Sequence, residues 1–141
     1  VVWETQPARS TGAQGYQVIR PQDDDRRDYA TVYDVSGDAT QVNAWIARMR
    51  AGGELVLAGF YKQDIQFAFA PAFMKEARLR IAAQWRHADL QAVTQLVHEG
   101  RLSLDGLVTH TQVPAHAHQA YTDAFGDVEC LKMVLNWSGH A

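Results

Sequence analysis

The feature that most constrains the fold is a strand–helix–strand pattern within residues 31–60. Residues 31–35 are a short strand candidate, and apolar residues between positions 42 and 49 then recur at the spacing of one helical face. Residues 54–60 follow as a nearly continuous apolar strand, the type that is buried on both faces of a parallel sheet. Because two parallel strands need a crossover connection between them, this stretch predicts one βαβ unit.

Apolar runs and helical spacings also alternate along the rest of the chain. Asp38 or Thr40 is predicted to cap the first helix, and Gly52-Gly53 to end it. The alternation predicts an α/β fold, with a mostly parallel sheet and flanking helices, and Tyr121 on the inward face of the last helix. The other predicted elements are strands at 1–4, 16–19, 79–85, 107–110 and 131–135, and helices that begin at Thr5, at Pro71, near Leu90 and at Pro114.

Composition and charge restrict the function classes. The 141 residues are enough for one ordinary domain with a core. Thirteen basic and sixteen acidic residues give a net charge of −3 without a basic stripe, which argues against a nucleic-acid surface. Cys130 is the only cysteine, so no internal disulfide can form, which fits a reducing cytoplasm. No apolar run approaches the roughly eighteen residues of a membrane span, and no signal peptide is recognisable.

The first four residues are typical of part of a nucleotide-binding motif. Val1, Val2 and Trp3 form a short apolar strand that ends in Glu4. An acid at this place in a dinucleotide-binding unit accepts hydrogen bonds from the adenosine ribose, and a Gly-rich turn lies about twenty residues before it. Since the chain begins at Val1, we expect the later portion of a cofactor-binding enzyme, with one side of its site outside this sequence.

Several short motifs, spread over essentially all 141 residues, carry a family resemblance. Their order and spacing resemble the C-terminal portion of the medium-chain dehydrogenases/reductases, the alcohol-dehydrogenase-like superfamily. Within it, the phrases at 3–9, 33–39, 58–61 and 69–74 are similar to the hydroxyethyl bacteriochlorophyllide dehydrogenases. The superfamily motifs are Glu4 after the first strand, Asp-x-Ser-Gly at 34–37, Val-Leu-Ala-Gly at 56–59, Leu-Val-x-x-Gly at 96–100, Leu-Val-Thr-His at 107–110, Ala-Tyr at 120–121 and Lys-Met-Val-Leu at 132–135.

The resemblance implies an activity and a domain boundary. The activity is oxidation of a hydroxyethyl side chain on a chlorin to acetyl, with NAD as hydride acceptor, in bacteriochlorophyll a biosynthesis. Residues 1–85 would be the C-terminal part of a Rossmann NAD-binding domain, and residues 86–141 would return to the catalytic domain. The Gly-rich turn and any zinc ligands would lie outside this sequence, and no residue here is assigned the proton-accepting role.

Three charged residues are candidates for holding the cofactor. The resemblance places Glu4 and Arg9 at the adenosine ribose and Lys132 at the pyrophosphate. A carboxylate at position 4 would repel the additional phosphate of NADP, so NAD is the expected cofactor. An exposed helix arginine explains Arg9 equally well. Simple alternation on an exposed strand face explains Lys132 nearly as well.

Ala58, Gly59 and Phe60 lie at the carboxyl end of the most apolar predicted strand. Ligands of open α/β sheets bind outside such strand ends. In the superfamily this end contacts the nicotinamide ring, largely through backbone, and Gly59 would permit a close approach. A small residue required only by packing is the competing interpretation.

Aromatic residues crowd the stretch from 60 to 73, and two of them are candidates for binding a chlorin. Tyr61 and Phe69 are assigned to the substrate, because flat apolar side chains suit a macrocycle. Core packing or a subunit contact explains the same aromatic residues more simply.

The histidines do not form a metal-binding pattern. His116 and His118 are two residues apart and cannot share one helical face, and His110 is treated as structural. A single cysteine offers no set of thiolate ligands, so no metal is expected. Nucleophile elbows and P-loops are also absent from the sequence.

Two other functions remain open from the residues alone. The chain could belong to a medium-chain dehydrogenase for another alcohol or a sugar. It could instead be a non-catalytic α/β fragment that forms a homodimer through strand 79–85, where Arg78 and Arg80 indicate a sheet edge.

Overall fold

The structure is a computed structural model that describes residues 1–10 and 15–138. The chain divides into two compact units. We call Asp25–Arg86 the central unit, and Val1–Asp24 with His87–Ala141 the terminal unit. The prediction that a nucleotide-binding part ends at residue 85 stays a prediction.

The described residues form seven strands and four α-helices. Every strand pairing among them is parallel, which confirms the predicted α/β class with parallel sheets and flanking helices. In chain order the elements are β1 (Val2–Trp3), β2 (Val18–Ile19), β3 (Tyr29–Asp34), α1 (Val42–Arg48), β4 (Met49–Leu57), α2 (Phe69–Met74), β5 (Arg78–Ile81), α3 (His87–His98), β6 (His110–Gln112), α4 (Ala117–Gly126) and β7 (Met133–Leu135).

The central unit contains a three-stranded sheet with the order β3-β4-β5. β3, α1 and β4 form the predicted βαβ unit, with Asp34 opposite Leu57 at the carboxyl end. Its core is apolar because the inward residues of β4 meet the inward face of α1. The fully buried side chains are Val42, Ile46, Met49, Leu55 and Val56.

The start of α1 follows the prediction, but its end does not. Asp38 Oδ1 accepts a hydrogen bond of 3.0 Å from the Thr40 backbone, which caps the short 3-10 turn leading into α1. The prediction that Gly52-Gly53 ends the helix was wrong, because Met49 is already extended, with φ −76° and ψ 152°. Gly52 lies inside β4 at φ +68° and donates to the Lys75 carbonyl at 2.7 Å.

β5 is an edge strand of this sheet, as the arginines indicated. All four of its residues are exposed, and it is shorter than the predicted strand at 79–85. Arg80 pairs with Glu54 on β4 at 3.3 Å, so the outer face of the sheet carries charge. The preceding helix begins at Phe69, two residues before Pro71, because proline is tolerated within the first turn of a helix.

The terminal unit contains two parallel strand pairs, β1-β2 and β6-β7. The predicted strand at 107–110 was displaced, since β6 begins only at His110. α4 begins later than predicted, because a 3-10 turn at Pro114–His116 precedes it. Tyr121 does not face inward but is 62% exposed, and Ala120 is the buried residue of this helix. Within residues 1–10 and 15–138, no helix has the length and apolarity that a bilayer crossing requires.

Candidate functional site

The carboxyl ends of β3 and β4 form the candidate site of the central unit. We call residues 35–38 the β3 loop and residues 58–61 the β4 loop. The Asp34 carbonyl accepts hydrogen bonds from Ala58 N at 2.8 Å and from Gly59 N at 3.0 Å. The β4 loop therefore stays bonded to the end of β3 after the strand ladder has stopped.

The Asp34 carboxylate joins the two loops a second time. Its Oδ1 accepts from Ser36 N at 2.9 Å and from Ser36 Oγ at 2.7 Å, and its Oδ2 accepts from the Tyr61 hydroxyl at 2.9 Å. Asp34 is only 4% exposed, so these bonds replace the water that a carboxylate otherwise requires. One buried acid thus holds side chains from both loops.

Gly37 and Gly59 bring the two loops into direct backbone contact. A Cβ added to Gly59 would lie 2.5 Å from Gly37 N, and one added to Gly37 would lie 2.6 Å from the Phe60 carbonyl oxygen. Gly37 also has φ +73°, a conformation that favours glycine. The close approach between the loops therefore requires glycine at both positions.

Tyr61 is half-buried and belongs to the hydrogen-bond network of Asp34. Burial, together with its hydrogen bond to the Asp34 carboxylate, raises the pKa of Tyr61 to about 12. The hydroxyl thus stays protonated and donates to Asp34 at neutral pH. Its predicted role in binding substrate stays a prediction.

The β4 loop also presents a surface outward. The Ala58 side chain is exposed, and the Phe60 ring is 91% exposed. The backbone of Ala58, Gly59 and Phe60 lies beyond the carboxyl ends of two parallel strands, where open α/β sheets bind ligands. The three predicted nicotinamide contacts are brought together here, and their role stays a prediction.

Phe69 lies in a separate apolar groove of the central unit, with a volume of about 570 Å³. Its ring is 72% exposed and lies 5.6 Å from the Phe73 ring. The groove extends to Ala77 and Leu79, toward the amino end of β5. The structure therefore puts the two predicted substrate residues in different surroundings, Tyr61 beside Asp34 and Phe69 in this groove.

In the terminal unit, Glu4 directly follows β1, as predicted. Its Oε1 accepts from Thr5 N at 2.7 Å and from Gln6 N at 2.8 Å, which orients the carboxylate at the carboxyl end of the strand. Trp3 Nε1 donates to Asp24 Oδ2 at 2.7 Å and fixes the residue before it. A carboxylate held at the end of a parallel strand is suited to accept hydrogen bonds from ribose hydroxyls.

The two predicted cations lie in the same unit and are both exposed. Arg9 Nε donates to the Val128 carbonyl at 2.8 Å, which ties the first segment to the segment after α4. Lys132 was predicted inside a strand but precedes β7, and its backbone lies near Thr109 Oγ1, with an N–O distance of 3.4 Å. Glu4, Arg9 and Lys132 thus share the terminal unit, whereas the nicotinamide candidates belong to the central unit.

Solved structures show the fold. An alcohol dehydrogenase from Thermus sp. ATN1 superposes with a TM-score of 0.73 at 23% identity, over 86% of this chain and 38% of that one. A structure of an Escherichia coli CFT073 alcohol dehydrogenase with its cofactor NADH gives a TM-score of 0.68 at 18% identity, over 76% of this chain and 32% of that one. No protein-family model matches the sequence.

Curated relatives are much closer in sequence. A 2-desacetyl-2-hydroxyethyl bacteriochlorophyllide A dehydrogenase from Rhodobacter capsulatus is 56% identical over 137 residues, which is 97% of this chain. A protein of the same description from Cereibacter sphaeroides is 51% identical over 141 residues, which is 100% of this chain. The chain belongs to the medium-chain dehydrogenase/reductase family. It spans 44% of the length of each of these two relatives.

His110 of this medium-chain dehydrogenase chain has polar neighbours in the terminal unit. His110 Nδ1 lies 2.9 Å from Thr109 Oγ1, and its Nε2 lies 3.6 Å from Asp127 Oδ2. Across residues 1–10 and 15–138, no three His, Cys, Asp or Glu side chains are grouped so that they could hold a metal ion.

Sequence reasoning gave Asp34 no role, although the residue was part of a family motif. The signal was the Asp-x-Ser-Gly phrase, in which an acid can accept hydrogen bonds from the residue two positions later. The bond from Tyr61, 27 residues away, had no local signal. The bond between Asp34 and Tyr61 is therefore the feature of this site that only the structure reveals.

Proposed function

We propose that this chain is part of an NAD-dependent oxidoreductase that oxidises the hydroxyethyl group of a bacteriochlorophyllide to an acetyl group, a step of bacteriochlorophyll biosynthesis. The observation that carries the proposal is the 56% identity over 97% of the chain to a dehydrogenase with this substrate in its name. A fold neighbour that binds NADH supports a nicotinamide cofactor.

The residues present are suited to hold such a cofactor. Glu4 would accept hydrogen bonds from the ribose hydroxyls of the adenosine, and Arg9 would lie beside that ribose. Lys132 would offset the negative charge of the pyrophosphate. The Glu4 carboxylate would repel the additional phosphate of NADP, which favours NAD. The backbone at Ala58 and Gly59 would lie against the nicotinamide ring.

The bound cofactor would supply the chemistry by accepting a hydride from the carbinol carbon. The chain's own contribution would be positioning, because a rigid strand end fixes the ring relative to the substrate carbon. Phe69 in its groove, and Tyr61 through its ring, are the candidates for contact with the chlorin. The group that takes the hydroxyl proton is not assigned.

Two further proposals concern the protein as a whole. Cys130 is buried and unpaired with another cysteine, which suits a reducing compartment, and we place the enzyme in the cytoplasm. The exposed edge strand β5 is our candidate surface for a homodimer, since its free edge can pair with a second copy.

The test is turnover by the full-length protein that carries this chain. We expect NADH to appear, and an acetyl chlorin to form, when hydroxyethyl bacteriochlorophyllide and NAD are supplied together. Xylitol and ethanol serve as control substrates under the same conditions. Reduction of NAD with xylitol and not with the chlorin would show that the protein oxidises sugar alcohols, and would overturn the substrate proposal.

A further inference from the structure

We infer that Asp34 is a positioning residue for hydride transfer, which holds the β4 loop where its backbone meets the nicotinamide ring. This inference rests on the proposed function, because the ring is the group that the loop would contact. It assigns a role to a buried carboxylate that lies beside the predicted nicotinamide contacts.

Five donors converge on this one residue. The carbonyl accepts from Ala58 N and Gly59 N, and the carboxylate accepts from Ser36 N, Ser36 Oγ and the Tyr61 hydroxyl, all at 2.7–3.0 Å. An ionised carboxylate is an acceptor only, so it suits all three of its donors at once. The burial of Asp34 makes each of these bonds costly to lose.

The bonds hold the loops rather than the sheet. The ladder between β3 and β4 ends at the pair Asp34 and Leu57, and each donor lies beyond that pair. Tyr61 is four residues past the end of β4, so its bond to Asp34 closes the β4 loop back onto β3. Without that bond, the segment between them would be fixed by its backbone bonds alone.

Glycine packing leaves the loops little room to compensate. Gly59 lies against Gly37 so closely that not even a methyl group fits between them. We therefore expect a change in the Asp34 network to shift the exposed backbone at Ala58 and Phe60. Displacement of reacting groups by about 1 Å can cost about a hundredfold in rate, so the effect should appear in kcat.

The experiment compares variants of the full-length protein. Tyr61→Phe removes one donor and keeps the ring, and Asp34→Asn replaces one acceptor oxygen by an amide that cannot accept. Tyr33→Phe is the matched control, because Tyr33 is the adjacent residue of β3 and its ring is 65% exposed on the other face. Steady-state rates are measured with NAD and the alcohol that the wild type oxidises best.

We expect Tyr61→Phe to lower kcat about tenfold or more, with less than about a twofold change in the NAD Michaelis constant. The primary deuterium isotope effect should rise, since hydride transfer becomes slower than product release. Asp34→Asn should show the same pattern more strongly, and Tyr33→Phe should match the wild type.

Three other outcomes would separate this inference from the proposed function. A lower melting temperature in Tyr61→Phe, with kcat and the isotope effect unchanged, would make the network purely structural and overturn the inference. If another alcohol replaces the chlorin as best substrate, the substrate proposal fails but the kcat comparison still decides the role of Asp34. A wild-type protein that binds no NADH would overturn both proposals.

Discussion

The two groups of predicted cofactor residues are built in different ways. In the central unit, the predicted contacts belong to a backbone that is locked by Asp34 and by two facing glycines. In the terminal unit, the candidates Glu4, Arg9 and Lys132 would act through charged side chains. Glu4 accepts hydrogen bonds from the neighbouring backbone, and Arg9 donates to the distant Val128 carbonyl. The first group depends on packing and the second on charge, so mutations should affect stability and the position of the β4 loop in one, and cofactor affinity in the other.

The largest effect should come from Gly59→Ala. Its new methyl group would meet Gly37 N at 2.5 Å and Gly37 Cα at 2.9 Å, and backbone atoms cannot move aside cheaply. We expect the free energy of unfolding to fall by about 3 kcal/mol, at the upper end of the cost of overpacking. Urea denaturation of the full-length protein measures it.

The matched control for that variant is Gly126→Ala in α4, where an added Cβ meets nothing within 4 Å. Alanine is the better helix former, so this change should leave the stability equal or higher. If both variants lost the same stability, the contact between the two loops would not be as tight as described.

A smaller effect, on binding rather than folding, should follow Glu4→Ala. Loss of a charged acceptor for the ribose should raise the NAD Michaelis constant about tenfold, which corresponds to about 1.4 kcal/mol. Glu4→Gln keeps an oxygen for the backbone donors at Thr5 and Gln6 and removes only the charge. A Michaelis constant that stays at the wild-type value in both variants would remove Glu4 from the site.

A further prediction concerns the alkaline titration of Tyr61. The pKa of Tyr61 rises from an ordinary 10.0 to about 12, by burial first and then by the hydrogen bond to Asp34. Between these values the folded state keeps a proton that the unfolded state has lost. This contribution to stability is therefore complete below pH 10.0 and is lost as the pH rises through about 12.

The measurement is the phenolate absorbance of wild type minus that of Tyr61→Phe as the pH is raised. A midpoint near 12 is expected for the difference. A midpoint near 10.0 would show that the hydroxyl is not buried against Asp34, and would weaken the contrast between the two units.

Elements with a strong hydrophobic period could be predicted from the sequence. Features that depend on contacts between residues far apart in the chain could not. The βαβ unit was predictable because the helical face from Val42 and the apolar strand before Gly59 each have a clear period. The end of α1 was misplaced, since glycines signal a stop but Met49 had already become extended through pairing with Tyr29. Tertiary pairing overrode the local signal there.

The candidate site divides in the same manner. Glu4 at a strand end and Gly59 in a strand-end phrase had local signals and a family resemblance. Only the bond between Asp34 and Ser36 could be predicted from the sequence, because these residues are two positions apart. The bond from Tyr61, 27 residues away, could not. The exposure of Tyr121 was missed because its helical spacing fits an inward face as well as an outward one.

The most direct measurement is a crystal structure of the full-length protein with NADH bound. We predict the Glu4 carboxylate within hydrogen-bond distance of the adenosine ribose hydroxyls, and the nicotinamide ring against the backbone of Ala58 and Gly59. A cofactor bound elsewhere, with Glu4 and the β4 loop both in contact with solvent, would contradict the account.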